Sequence, residues 1–144
     1  MFPPLRAPLI GTASPNNHDF LPLGAAPVVY GPGLAQRVRE IAPDGVDLAL
    51  DTAGRGALPD LIEATGNPDR VVTIADYGAA RYGVRLSSGM EGRSLQALAQ
   101  ATQLFEEGKF SMPIARTFPL ARAGEAHTIS QGGHLRGKLI LTVE

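Results

Sequence analysis

The residues able to do chemistry in this 144-residue chain are three histidines, fourteen carboxylates, thirteen lysines and arginines and one glycine-rich turn; cysteine is absent. The histidines are His18, His127 and His134, and no two have the i, i+4 spacing that sets a metal-binding pair on one helix face. No H-E-x-x-H or G-x-S-x-G occurs, so neither a zinc peptidase nor a hydrolase built on a nucleophile elbow has an anchor. The lack of cysteine excludes disulfides, iron–sulfur clusters and thiolate zinc sites. No residue stands out as a general acid or base, so no catalytic residue is assigned.

Gly31-Pro32-Gly33 follows an apolar run, opens a helical pattern and is trailed by Asp51, eighteen residues after Gly33. That imitates the G-x-G-x-x-G dinucleotide fingerprint with its downstream acid. Two details favour an ordinary strand-to-helix turn. Gln36 stands where close packing needs the third glycine, and Pro32 has no amide to offer a phosphate. Asp51 and Asp76 each end an apolar run. Ligands of open α/β sheets bind beyond the carboxyl ends of the strands, so each aspartate either touches a ligand or caps a turn. Gly132 to Lys138 is a short basic turn containing His134, Arg136 and Lys138. It could pair with a phosphate or remain a solvated loop.

The elements that must position these groups follow from the hydrophobic pattern. Residues 8–13, 27–30, 46–51, 70–75 and 83–87 read as strands, the fourth almost continuously apolar, as in a parallel sheet covered on both faces. Between them, Pro15 starts a short helix after Ser14, with Pro22 and Gly24 as its stop signals. Leu34, Val38 and Ile41 mark a second helix, and Leu58, Leu61 and Ile62 a third, closed by Gly66-Asn67-Pro68. The longest helix runs from about Arg93 to Glu107, with Leu95, Leu98, Leu104 and Phe105 on one face and Gly108 as its stop. Alternation of strand and helix predicts a parallel α/β sheet with right-handed crossovers. The last part reads strand, helix, strand: 114–120, 121–131 and 138–143. The 17 glycines and 12 prolines are dispersed, so they punctuate elements and do not mark a disordered tract. A formal net charge of −1 gives no nucleic-acid or acidic-membrane footprint. No apolar run approaches a membrane span. The expectation is a soluble cytoplasmic protein.

Taken in order, GTASPNNHDF, LGAAPVVYG, GVDLALDTAG, RVVTIAD, FPLARAGEAH and GGHLRGKLILTV resemble the medium-chain dehydrogenase/reductase superfamily. Within it they are most similar to the zinc-independent quinone oxidoreductase type, often labelled zinc-binding dehydrogenase. The resemblance spans residues 8–144. It implies an α/β fold: an incomplete Rossmann-like parallel sheet with flanking helices over 8–112, and a C-terminal β-α-β tail over 113–144 that in the family packs on the catalytic domain. The strand at 8–12 would be the family's second. Its first strand, glycine-rich loop and GroES-like domain would then precede it, and the chain would be a C-terminal portion with exposed strand edges.

The same resemblance implies a cofactor, NADP(H) ahead of NAD(H), and hydride transfer to a quinone- or enone-type acceptor. Thr12, Ser14, Asn16 and Asn17 would lie near the adenosine ribose. Ser14, and the lack of an acid at that strand's end, lean toward a 2′-phosphate, although neutral Asn16 and Asn17 stand where relatives place a base. Tyr30 would lie toward the adenine. Thr52-Ala53-Gly54 and Ile74-Ala75-Asp76 would run along the cofactor toward the nicotinamide, and Lys138 completes the expected cofactor contacts. With no cysteine, the family's optional zinc is not expected. The alternative reading is a non-catalytic remnant or interaction module that keeps the fold. Open strand edges would suit a homo-oligomer or a companion chain.

Overall fold

The structure, a computed structural model, describes residues 8–20, 25–87, 95–133 and 135–143. Pro22, Gly24, Arg93 and His134 lie outside these residues, as do the side chains of Asn16 and Leu95. The chain divides into two compact units, Met1–Arg93 and Ser94–Glu144.

In the first unit, β1 (Leu9–Ala13) and β2 (Ala25–Val29) form a parallel pair running from Leu9↔Ala25 to Ala13↔Val29. They are joined by a 3-10 turn, Pro15–Phe20, where the sequence predicted a short helix. A second parallel sheet takes β3 (Ala49–Asp51), β4 (Val71–Thr73) and β5 (Arg85–Leu86), in that order. No pairing among the described residues joins the two sheets. Among the described residues the parallel strands of this unit therefore form two short sheets.

Two helices hold the first unit together. Helix α1 (Leu34–Ile41) buries Leu34, Ala35 and Val38, and α2 (Leu58–Thr65) buries Leu58, Ala64 and Thr65. Pro59 sits in the first turn of α2, where its missing N–H costs nothing. Gly66 ends that helix by donating to the Ile62 carbonyl. Thr65 Oγ1 donates back to the Leu61 carbonyl at 2.9 Å.

Val28, Leu34, Val38 and Ala64 form one buried cluster, with Ile10, Val46 and Leu61 against it. Leu58, Val71, Ala79 and Val84 form another, joined by Ala49, Leu61, Ile62 and Leu86. Leu61 belongs to both. Each fully buried aliphatic side chain of this kind stabilises the fold by about 1.5–3 kcal/mol. The expectation of strands covered on both faces holds only in part. Val71 and Thr73 are fully buried, but Leu50, beside them on β3, is 61% exposed.

In the second unit, α3 (Leu95–Glu106) ends at Gly108, and Leu98 and Phe105 of its expected apolar face are exposed. β6 (Ile114–Pro119), a 3-10 turn at Leu120–Arg122, α4 (Ala123–Gln131) and β7 (Lys138–Thr142) complete a parallel β-α-β unit, with a bulge between Ile114 and Arg116. Phe118 is 1% exposed. The Arg116 and Arg122 guanidinium groups lie 4.7 and 5.8 Å from its ring centroid, and Glu125 pairs with both arginines. Gly137 has φ +103°, and any Cβ there would run into the Pro113 carbonyl. No helix among the described residues is long and apolar enough to cross a membrane.

Candidate functional site

The carboxyl ends of β3 and β4 carry two of the expected cofactor segments, Thr52-Ala53-Gly54 and Ile74-Ala75-Asp76, and they lie side by side. The Ile74 amide donates to the Asp51 carbonyl at 3.0 Å. Gly54 has φ +62°, and a Cβ there would collide with the Ala75 carbonyl, so only glycine allows the two segments to come so close.

Side chains knit the segments further. Asp51 is 4% exposed. Its Oδ1 accepts from the Ala53 and Gly54 amides at 3.0 and 3.1 Å, and its Oδ2 accepts from Thr73 Oγ1 at 2.8 Å. Thr73 Oγ1 in turn accepts from the Ala75 and Asp76 amides at 3.1 and 2.9 Å. Asp76 Oδ1 accepts from the Gly78 amide at 2.8 Å. Burial works to raise the Asp51 pKa, but the bonds from Thr73, Ala53 and Gly54 outweigh it and hold the carboxyl below its ordinary value. Of the two roles the sequence allowed Asp51, the structure displays the turn-forming one: both carboxylate oxygens are engaged within the protein.

These bonds decide what the edge can recognise. The amides of Ala53, Gly54, Ile74, Ala75 and Asp76 all donate inward. An anion finds no free donor among those five. The edge suits uncharged parts of a ligand.

The Gly31-Pro32-Gly33 turn is committed elsewhere. The Arg37 guanidinium donates to the carbonyls of Val29, Pro32 and Gly31 at 3.0, 2.9 and 2.9 Å. The Leu34 amide bonds to the Gly31 carbonyl at 3.1 Å, and the Ala35 amide faces Asp60 Oδ1 at 3.3 Å. A carboxylate of the chain itself thus occupies the start of α1, where an anion would bind. The turn is a strand-to-helix connection, not a phosphate loop.

The other expected residues fall into two groups. Thr12, Ser14 and Asn17 lie at the carboxyl end of β1, and Tyr30, 53% exposed, follows β2 beside them in the parallel pair. That end is fastened locally. The Asn17 amide bonds to the Ser14 carbonyl at 2.8 Å, and His18 Nε2 lies 3.2 Å from the Ala13 carbonyl. Lys138 belongs to the second unit. It is exposed at the start of β7, its amide bonded to the Pro113 carbonyl at 2.8 Å.

Sequence reasoning passed over Thr73, Arg37 and Asp60. Thr73 left a trace, being the one hydroxyl in the apolar run Val71-Val72-Thr73-Ile74-Ala75. Arg37 and Asp60 left none, because a charged residue on an amphipathic helix reads as solvated.

The joined segments give a backbone edge at the carboxyl ends of two parallel strands, a place where a flat ligand group could rest. No pyrophosphate cradle is found among the described residues. Among the described residues no group of three His, Asp or Glu could hold a metal ion.

A family model described as zinc-binding dehydrogenase matches residues 23–141. No match was found among curated proteins. Solved structures with the same fold include an NAD-dependent alcohol dehydrogenase, at 23% identity and TM-score 0.70 over 96% of this chain and 44% of that one. An alcohol dehydrogenase superfamily protein from Novosphingobium aromaticivorans matches at 24% identity and TM-score 0.73, over 94% and 48%. A quinone oxidoreductase from Pseudomonas syringae pv. Tomato DC3000 matches at 21% identity and TM-score 0.73, over 95% and 49%. The chain spans less than half the length of each of these structures.

Proposed function

The chain belongs to the zinc-binding dehydrogenase family of the medium-chain dehydrogenase/reductase superfamily, and from that premise we propose that it forms the cofactor-holding part of an NADP(H)-dependent oxidoreductase of the quinone or enone reductase type. The observation that carries this reading is the pair of segments 52–54 and 74–76, fastened together at the carboxyl ends of two parallel strands. When bound, the nicotinamide supplies hydride transfer to the acceptor. The chain's own part is to hold and orient. Thr52-Ala53-Gly54 and Ile74-Ala75-Asp76 form a rigid edge for the nicotinamide half. Thr12, Ser14, Asn16 and Asn17 serve the adenosine ribose, and Tyr30 the adenine side. Ser14, with no acid at the end of β1, favours NADP(H) over NAD(H).

A thermal-shift comparison with NADPH and NADH tests the reading. A ligand selective for the folded state raises the melting temperature. The expected result is a weak rise, larger with NADPH. No rise with either nucleotide at millimolar concentration would overturn it.

A second reading rests on the division into two short sheets. The two sheets of the first unit leave strand edges without a partner among the described residues, and such edges invite pairing with another chain. In this reading the protein is an interaction module that assembles with a second copy or a companion chain. Light scattering at high concentration would then give a mass above that of the monomer, and a clean monomer would count against self-association.

A further inference from the structure

We propose that Asp51 and Thr73 act as one positioning clamp that sets the nucleotide-facing edge, Asp51 aligning segment 52–54 and Thr73 aligning segment 74–76, without either side chain touching the ligand. The inference rests on the cofactor-holding reading above for its purpose, but its geometry stands alone.

The two side chains make a continuous relay. The Ala53 and Gly54 amides donate to one oxygen of Asp51, and Thr73 Oγ1 donates to the other. The same hydroxyl accepts from Ala75 and Asp76. Asp51 is 4% exposed and Thr73 0%, so water competes poorly for either. The bonds are directional. Only a carboxylate accepts on both oxygens, and only a hydroxyl both accepts from segment 74–76 and donates to Asp51. In Asp51→Asn, the carboxamide oxygen could still serve Ala53 and Gly54. Its NH2 would then meet Thr73 Oγ1, whose own proton would lose its acceptor. Thr73→Val keeps the shape and removes the relay, while Thr73→Ser preserves it.

Amide hydrogen exchange followed by NMR reads the clamp directly, and NADPH titration of the same samples reads its purpose. If the clamp exists, Asp51→Asn and Thr73→Val each lower protection at Ala53, Gly54, Ala75 and Asp76 together, by about tenfold. Thr73→Ser restores it. If each variant loosens only the segment it bonds and leaves the other unchanged, the clamp is overturned. Should Asp51→Asn fail to fold, Thr73→Val against Thr73→Ser decides the same point. NADPH affinity, measured where every variant is fully folded, is expected to fall about tenfold in Thr73→Val and to recover in Thr73→Ser. Unchanged affinity in folded Thr73→Val would overturn the positioning role. A wild-type protein that binds no NADPH would overturn the cofactor-holding reading and the positioning role with it, while the exchange data would still judge the clamp.

Discussion

The carboxylate of Asp60, in the first turn of α2, lies 3.3 Å from the amide of Ala35, in the first turn of α1. It satisfies an N–H that α1 cannot satisfy itself and places negative charge at the positive end of that helix. One contact both joins the helices and closes an anion site.

Asp60→Ala removes that bond. The expected loss is about 0.5–2 kcal/mol, the range for losing a helix N-terminal acceptor. Urea unfolding checks it, and the slope with denaturant should not change, because the surface buried is nearly the same.

Acid stability should carry the signature of Asp51. Its folded pKa lies below the ordinary 3.8. A carboxyl whose pKa is lower in the folded state adds stability that is fully present above the unfolded value. That contribution is lost as pH falls from about 4 through the folded value. The loss of unfolding free energy over this window should be steeper in the wild type than in Asp51→Asn. Equal slopes would show that the carboxylate adds nothing.

Gly54→Ala and Gly137→Ala both place a Cβ at positive φ against a carbonyl, that of Ala75 and that of Pro113 respectively. Each should cost more than about 1 kcal/mol. Gly66→Ala is the control, since it has the same backbone sign but no atom within 4 Å of the added carbon. Chemical denaturation should rank Gly54→Ala and Gly137→Ala as more damaging than Gly66→Ala.

Phe118 is the large side chain at the centre of the second unit, 1% exposed and flanked by Arg116 and Arg122. Phe118→Ala should cost about 3–5 kcal/mol there. Phe118→Leu, which keeps most of the volume, should cost much less. Amide exchange along β6 and β7 would report the difference.

Much of the fold was legible in the sequence because its apolar periods are strong. Among the described residues, the seven strands, the four α-helices and the parallel β-α-β ending all lie close to where the pattern predicts them. The extent of the strands was less legible. Residues 46–51 read as one strand, yet β3 begins only at Ala49, where β4 comes alongside through Ala49↔Val71. Upstream, the Val46 amide turns to the Ala64 carbonyl, and Leu48 is 77% exposed. Strand propensity indicates where a strand is possible, while a neighbour decides where it exists.

The candidate edge was legible as positions and not as connections. The apolar runs marked where β3 and β4 end, and the family resemblance, not the pattern, supplied 52–54 and 74–76 as expected cofactor contacts. Nothing local to Asp51 names Thr73, twenty-two residues away, as its partner. Likewise, the glycine spacing of residues 31–33 is visible in the sequence, but the three carbonyls claimed by Arg37 are not.

Leu61 packs against both apolar clusters of the first unit, and this shared contact bears on how the protein comes apart. Each cluster gathers the strands of one sheet, and this leucine is where the two share a side chain. Helix α2 adds to that link by giving Ala64 to one cluster and Leu58 to the other. Trimming Leu61 should therefore loosen the coupling, so that melting of one sheet is felt less by the other.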